Sequence, residues 1–186
     1  MITPGARDDH DAGASMPNPE LETVLALVRK HRAVLVNVGH GRSARSVADA
    51  EAFVEAWRER GGEIGAVVSW PATAASWLRP ACRLAHGAPD AWVVADEREG
   101  WAGFGRRLAA QAAWRARRTV AFGGLADPGL PELAGWCATE GLSGADRDGR
   151  AWTFVDGRLE NAPWMHAPWP KAPLSRGQGA QPRNGR

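Results

Sequence analysis

Four short apolar segments rich in β-branched residues recur at regular intervals, and an amphipathic helical stretch fills each gap between them. The segments are Ala33–Val38 (AVLVNV), Glu63–Ser69 (EIGAVVS), Ala91–Ala95 (AWVVA) and Thr119–Phe122 (TVAF). Ala33–Val38 is a continuous β-branched-rich run ending at Gly39-His40-Gly41, the signature of a strand covered on both faces. Before and between them, Leu21, Val24, Leu25 and Val28 share one helical face, as do Val47, Ala50, Phe53, Val54 and Trp57. Trp77, Leu78, Ala81, Cys82 and Ala85 form a third such stripe, and Trp101, Phe104, Leu108 and Ala112 a fourth. Strands alternating with helices of this length predict a parallel sheet joined by right-handed crossovers.

Local signals sharpen the boundaries. Gly61-Gly62 stops the second helix, and Gly87 closes the third. Pro80 requires that third helix to start nearby, because a mid-helix proline costs about 3 kcal/mol; Ser76 is the predicted N-cap. A short helix is expected over 131–138 and a fifth strand within TEGLSGA. WTFVDGRL alternates around Asp156-Gly157, a pair that favours a type I′ hairpin turn. The fold class is therefore α/β: a three-layer sandwich with a mainly parallel, Rossmann-like sheet, helices on both faces and a C-terminal β-hairpin.

The 186 residues suit one domain with tails. Residues 1–18 read as a disordered leader of net charge −2, and 19–161 as a single α/β domain. Residues 162–186 read as a disordered Pro/Gly-rich basic tail, in which Trp164 and Trp169 are expected to dock on the domain. The domain itself is electrically neutral, which points away from nucleic acid as a partner. The run Arg106, Arg107, Arg115, Arg117 and Arg118 with Trp114 is the one feature favouring such a partner, as phosphate contacts beside a stacking platform. Cys82 and Cys137 sit in apolar helical patterns and are expected to be inert core thiols. No apolar run approaches the roughly 20 residues that a bilayer demands. The N-terminus shows no basic region followed by an apolar one, so the chain as written is expected in the cytoplasm, or outside it if a preceding segment is missing.

In an open parallel sheet, ligands bind beyond the carboxyl ends of the strands at the point where strand order reverses. That rule selects the loops holding His40, Arg42, Ser69, Trp70, Asp96 and Asp127 as the ligand-binding candidates. Gly39-His40-Gly41-Arg42-Ser43-Ala44 matches G-x-G-x-x-A, whose glycines let a pyrophosphate approach a helix N-terminus. The acid that would hold a ribose is absent, since Ser69, Trp70 and Pro71 end the second strand. His40 after a buried strand is also a candidate metal ligand or proton carrier; the GHG run resembles the opening of the sirohydrochlorin and cobalt chelatase family. A metal- or anion-binding enzyme built on Gly39–Ser43 is thus one alternative, and an interaction module the other. Asp96 and Asp127 read as helix caps as well as ligand contacts. No complete catalytic, metal or cofactor constellation is visible, so no catalytic residue, metal ligand or cofactor is assigned.

Over 33–145 the running order AVLVNVG, FVEAWRERGGE, SWLRPACRLAHGAPDAWVVA, DPGLPELAG and TEGLSGA resembles one lobe of a type I periplasmic-binding-protein fold, as in the substrate-binding proteins of ABC importers. The resemblance implies a non-catalytic module that takes a small polar ligand in a cleft between two lobes. With one lobe in the chain, it also implies that a homodimer could complete the cleft.

Overall fold

A computed structural model of the chain describes residues 18–162. The leader and most of the tail, including Trp164 and Trp169, lie outside the described residues. Helix α1 (Pro19–Lys30) opens the domain with Asn18 as N-cap, its side chain accepting from Leu21 N–H. Then come β1 (Leu35–His40), α2 (Ala44–Glu59), β2 (Glu63–Ser69), α3 (Leu78–Ala85), β3 (Ala91–Ala95) and α4 (Arg98–Ala109). The chain continues through β4 (Thr119–Ala121), α5 (Leu130–Ala134), α6 (Trp136–Thr139), β5 (Ser143–Ala145), β6 (Ala151–Val155) and β7 (Arg158–Asn161).

The seven strands form one sheet in the order β2-β1-β3-β4-β5-β6-β7. The first five are parallel; β6 and β7 add an antiparallel hairpin at one edge. Asp156 and Gly157 both take positive φ, 50° and 70°, as the predicted type I′ turn requires. Side chains alternate along each strand, so β3 sends Ala91, Val93 and Ala95 to one face and Trp92 and Val94 to the other. The first face packs under α1 and α2 around Val24, Val28, Phe53 and Trp57. The second packs under α3, α4, α5 and α6 around Trp70, Leu84, Trp101, Phe104 and Leu130. Helices on both faces of a mainly parallel sheet give the three layers expected.

Strand β1 begins two residues later than the sequence pattern indicated. Asp90 explains the boundary: its Oδ2 accepts from both Val34 N–H and Leu35 N–H at 2.9 Å, tying the start of β1 to the entry of β3. These two bonds hold the Asp90 carboxyl below the usual carboxylate range. Asp90→Ala is expected to cost about 1–2 kcal/mol, the value of charge-assisted bonds at an exposed end, read as a lower urea midpoint at neutral pH.

Four local expectations are corrected. The helix placed over 131–138 is broken by Gly135 (φ 84°, ψ 157°), whose conformation ends α5 and restarts the chain as α6. Cys82 and Cys137 are exposed, not core thiols. On α3 the inward residues are Ala81, Leu84 and Ala85, which turns Cys82 outward; on α6 Ala138 and Thr139 face in and leave Cys137 outside. Trp114 is no stacking platform: α4 ends at Ala109, and the chain folds back to bury Trp114 against Trp101 at 6.3 Å. Pro80 falls in the first turn of α3, where it is tolerated; the predicted N-cap Ser76 is displaced by Trp77, which makes no side-chain cap bond, while Ser76 Oγ accepts from Leu78 N–H.

Candidate functional site

Strand order reverses between β1 and β3. The chain leaves β1 for β2 on one side, then crosses back to β3 on the other. At the carboxyl ends His40 lies in register with Ser69 and Ala95. Gly41 N–H donates to Ala95 O at 3.0 Å, and Trp70 N–H to His40 O at 3.1 Å. The rim of the crevice is therefore fixed by backbone bonds beyond the last strand residues.

Trp70 and Asp96 meet above β1. The Trp70 indole N–H donates to Asp96 Oδ2 at 2.7 Å, and Glu97 N–H to Asp96 Oδ1 at 2.8 Å. Trp70 is completely buried, stacked on Phe104 with ring centroids 3.6 Å apart. It belongs to the core under α3 and α4, not to an open wall. Asp96 is 7% exposed, and burial pushes its carboxyl up to about 6, further raised by Glu97 and Glu99 and opposed by its two hydrogen bonds. The cap reading of Asp96 is corrected as well: Glu97 is the N-cap residue of α4, with no side-chain cap bond.

This bridge explains the glycines of the first loop. A Cβ at Gly39 would lie 2.6 Å from the Trp70 ring, and one at Gly41 would lie 2.1 Å from Asp96 Oδ1. The G-x-G spacing thus clears a path for an indole and a carboxylate across β1. The space that a pyrophosphate would approach already holds Asp96, and the Gly41 N–H is already used. The dinucleotide geometry is absent. Gly100 and Gly124 complete the wrapping, since a Cβ on either would press on Asp96 within 2.5 Å.

The other candidates separate. His40 follows Val36 and Val38 in the alternation and faces α2, where it borders a groove of about 540 Å³ with Val47, Val54, Glu51 and Val67. Its Nδ1 sits 2.7 Å from Gly41 O. Arg42 is exposed and makes no ion pair or hydrogen bond among the described residues. Ser43 beside it caps α2, its Oγ accepting from Ser46 N–H at 3.1 Å. Ser69 is exposed at the end of the edge strand. Asp127 accepts from Gly129 N–H at 2.8 Å and pairs with Arg98 at 3.3 Å, joining the loop after β4 to the start of α4. Among the described residues no three His, Cys, Asp or Glu side chains converge as a metal-holding group.

Sequence reasoning did not assign Glu20 or Arg45 to this end of the sheet; Arg98, Gly100 and Gly124 fell inside the loops 96–100 and 123–127 selected there but were not named as site residues. Glu20, 3% exposed, accepts from Gly123 N–H at 2.6 Å and from Arg45 at 2.7 Å, so it pins α1 and α2 to the loop after β4. Burial raises its pKa despite these partners. Gly100, expected in a loop, falls in the first turn of α4, where a glycine lowers helix propensity and here makes room for Asp96.

No family model and no curated protein matches the sequence. Solved structures do match the fold. A substrate-binding periplasmic protein from Ralstonia solanacearum aligns with a TM-score of 0.56 and 21% identity over 67% of this chain and 34% of that one. An extracellular ligand-binding receptor from Rhodopseudomonas palustris HaA2 gives 0.61 and 18% over 69% and 35%. A leucine binding protein from Thermotoga maritima gives 0.56 and 21% over 68% and 36%. The chain spans about a third of the length of these structures. The cytoplasmic expectation is corrected by these matches, whose names are those of periplasmic or extracellular proteins. No helix among the described residues is long and apolar enough to cross a membrane. The described residues therefore have the fold of one lobe of a type I periplasmic binding protein.

Proposed function

We propose that this chain is a non-catalytic solute-binding module of the kind that serves ABC importers, supplying one wall of a cleft for a small polar ligand. The observation that carries this reading is the reversal of strand order between β1 and β3, with the partner-free Arg42 guanidinium on its rim. Exposed Ser43 and Ser69 flank it, and the Arg98–Asp127 pair closes the far side. Asp96 and Trp70 act beneath as the floor that fixes the rim loops. Arg42 suits a carboxylate or another planar anion through paired N–H donors. Related folds carry the names of a leucine binding protein and a branched-chain amino acid ABC transporter, so leucine, isoleucine and valine head the ligand panel. A second copy of the chain would supply the opposing wall.

Isothermal titration with branched-chain amino acids, then other amino acids, sugars and nucleosides, tests this. Binding by at least one class is expected, and Arg42→Ala is expected to weaken it roughly tenfold or more, the loss of a charge-assisted bond. Silence across the whole panel sinks the proposal. Sedimentation with and without the ligand shows whether two copies close on it.

A further inference from the structure

At the opposite end of the sheet, beyond the amino ends of the strands, lies a second pocket of about 360 Å³ between the end of α4, the turn before β4, and α6. Trp114, Arg115, Arg117, Trp136, Cys137 and Glu140 border it. Its volume lies within the range of small-molecule sites. Three observations concern what it would hold. Trp136 is 52% exposed, so an indole face is left in water where ring burial is normally favoured. Arg117 is exposed and makes no ion pair or hydrogen bond among the described residues. The nearest acid is engaged elsewhere: Glu140 accepts from Asp156 N–H at 3.2 Å and Gly157 N–H at 3.3 Å, which holds its carboxylate on the hairpin turn. Arg115 is steadied by its bonds to Ala112 O and Trp114 O and adds a second fixed cation.

We propose that this pocket is a second ligand site, remote from the β1/β3 crevice, that takes a small planar aromatic anion. The ring lies against Trp136, and the anionic group meets Arg117 and Arg115. Stacking and charge act together here. A neutral ring leaves the Arg117 guanidinium unanswered, and a bare anion leaves Trp136 in water.

Cys137 borders the pocket while Cys82, also exposed, sits on α3 outside it, so the two thiols serve as reporter and internal control. The full chain is treated with iodoacetamide, with or without millimolar benzoate, benzamide or inorganic phosphate, and alkylation at each cysteine is followed by peptide mass spectrometry. Benzoate is expected to slow Cys137 alkylation about fivefold or more and leave Cys82 unchanged, with benzamide and phosphate each giving far less protection. Arg117→Ala and Trp136→Leu, both at exposed positions, are expected to abolish the protection while far-ultraviolet dichroism stays the same. No protection by benzoate, equal protection by benzamide, or protection that survives both substitutions overturns the proposal. None of these readouts depends on whether the β1/β3 crevice binds a solute.

Discussion

Trp70→Ala is expected to be the most destabilising of the substitutions considered, lowering stability by about 3–5 kcal/mol, the range for deleting a large aromatic from a close-packed core. The ring is completely buried, lies parallel to Phe104 at 8° and tilts against Trp101 at 6.4 Å, so its removal opens a void lined by rings that cannot collapse onto β1. The loss has a second part. Asp96 Oδ2 would keep its burial and lose its donor, and an unpaired buried acceptor costs about 1–3 kcal/mol. Trp70→Phe separates the two parts, since a phenyl ring retains the stack on Phe104 and lacks the N–H. It is expected to cost about 1–3 kcal/mol, close to the hydrogen-bond share alone. Urea midpoints at pH 7 for both variants give the comparison. A Trp70→Phe protein as stable as the parent would mean that the indole–carboxylate bond contributes nothing, and the bridge over β1 would lose its significance.

The bridge also marks where the sequence stopped being informative. Glu63–Ser69 was legible as a strand end to end, and Asp156-Gly157 as a hairpin turn, because period-two patterning and turn chemistry are local properties. The mainly parallel sheet followed from the alternation of elements, and solved structures share the lobe architecture. Loop position then nominated six residues at one end of that sheet, and position was all it could supply. Which face each side chain takes depends on register across three strands. That register sends His40 towards α2, and it sends Trp70 and Asp96 under α4. Trp70 read as a rim residue because it follows the end of β2, yet α4 passes over that spot and turns it into core. Gly39 and Gly41 carried a real signal of close approach, but the object approaching was a side chain from the same fold and not a ligand. Cys82, Cys137 and Trp114 failed for a related reason: helical spacing shows that a stripe exists, while its edges and its end are set by the neighbours it meets.

Asp96 gives the sharpest test of this geometry, because its effect has a defined sign. The folded carboxyl titrates near 6 against an ordinary value of 3.8, so between those limits the folded chain holds more proton than the unfolded one. Stability attributable to Asp96 is therefore complete below about pH 4, declines as the pH rises through 6, and is flat above it. The ceiling on that decline is about 3 kcal/mol, at 1.36 kcal/mol per pH unit. Glu20 and Asp49 are shifted in the same direction by burial and add to the slope, while Asp90, held low by two backbone N–H groups, opposes it. Whole-protein curves therefore mix several carboxyls, and the informative quantity is the difference between parent and Asp96→Asn. Asparagine offers one oxygen where two donors wait, Trp70 N–H and Glu97 N–H, so the variant is expected to be less stable than the parent at pH 4 by about 1–3 kcal/mol. Having no charge to desolvate, it does not share the decline, and the gap should shrink or reverse by pH 7. Parallel stability curves from pH 4 to 7 would show that Asp96 ionises as it does in water, and that the floor of the crevice is wetter than its burial indicates.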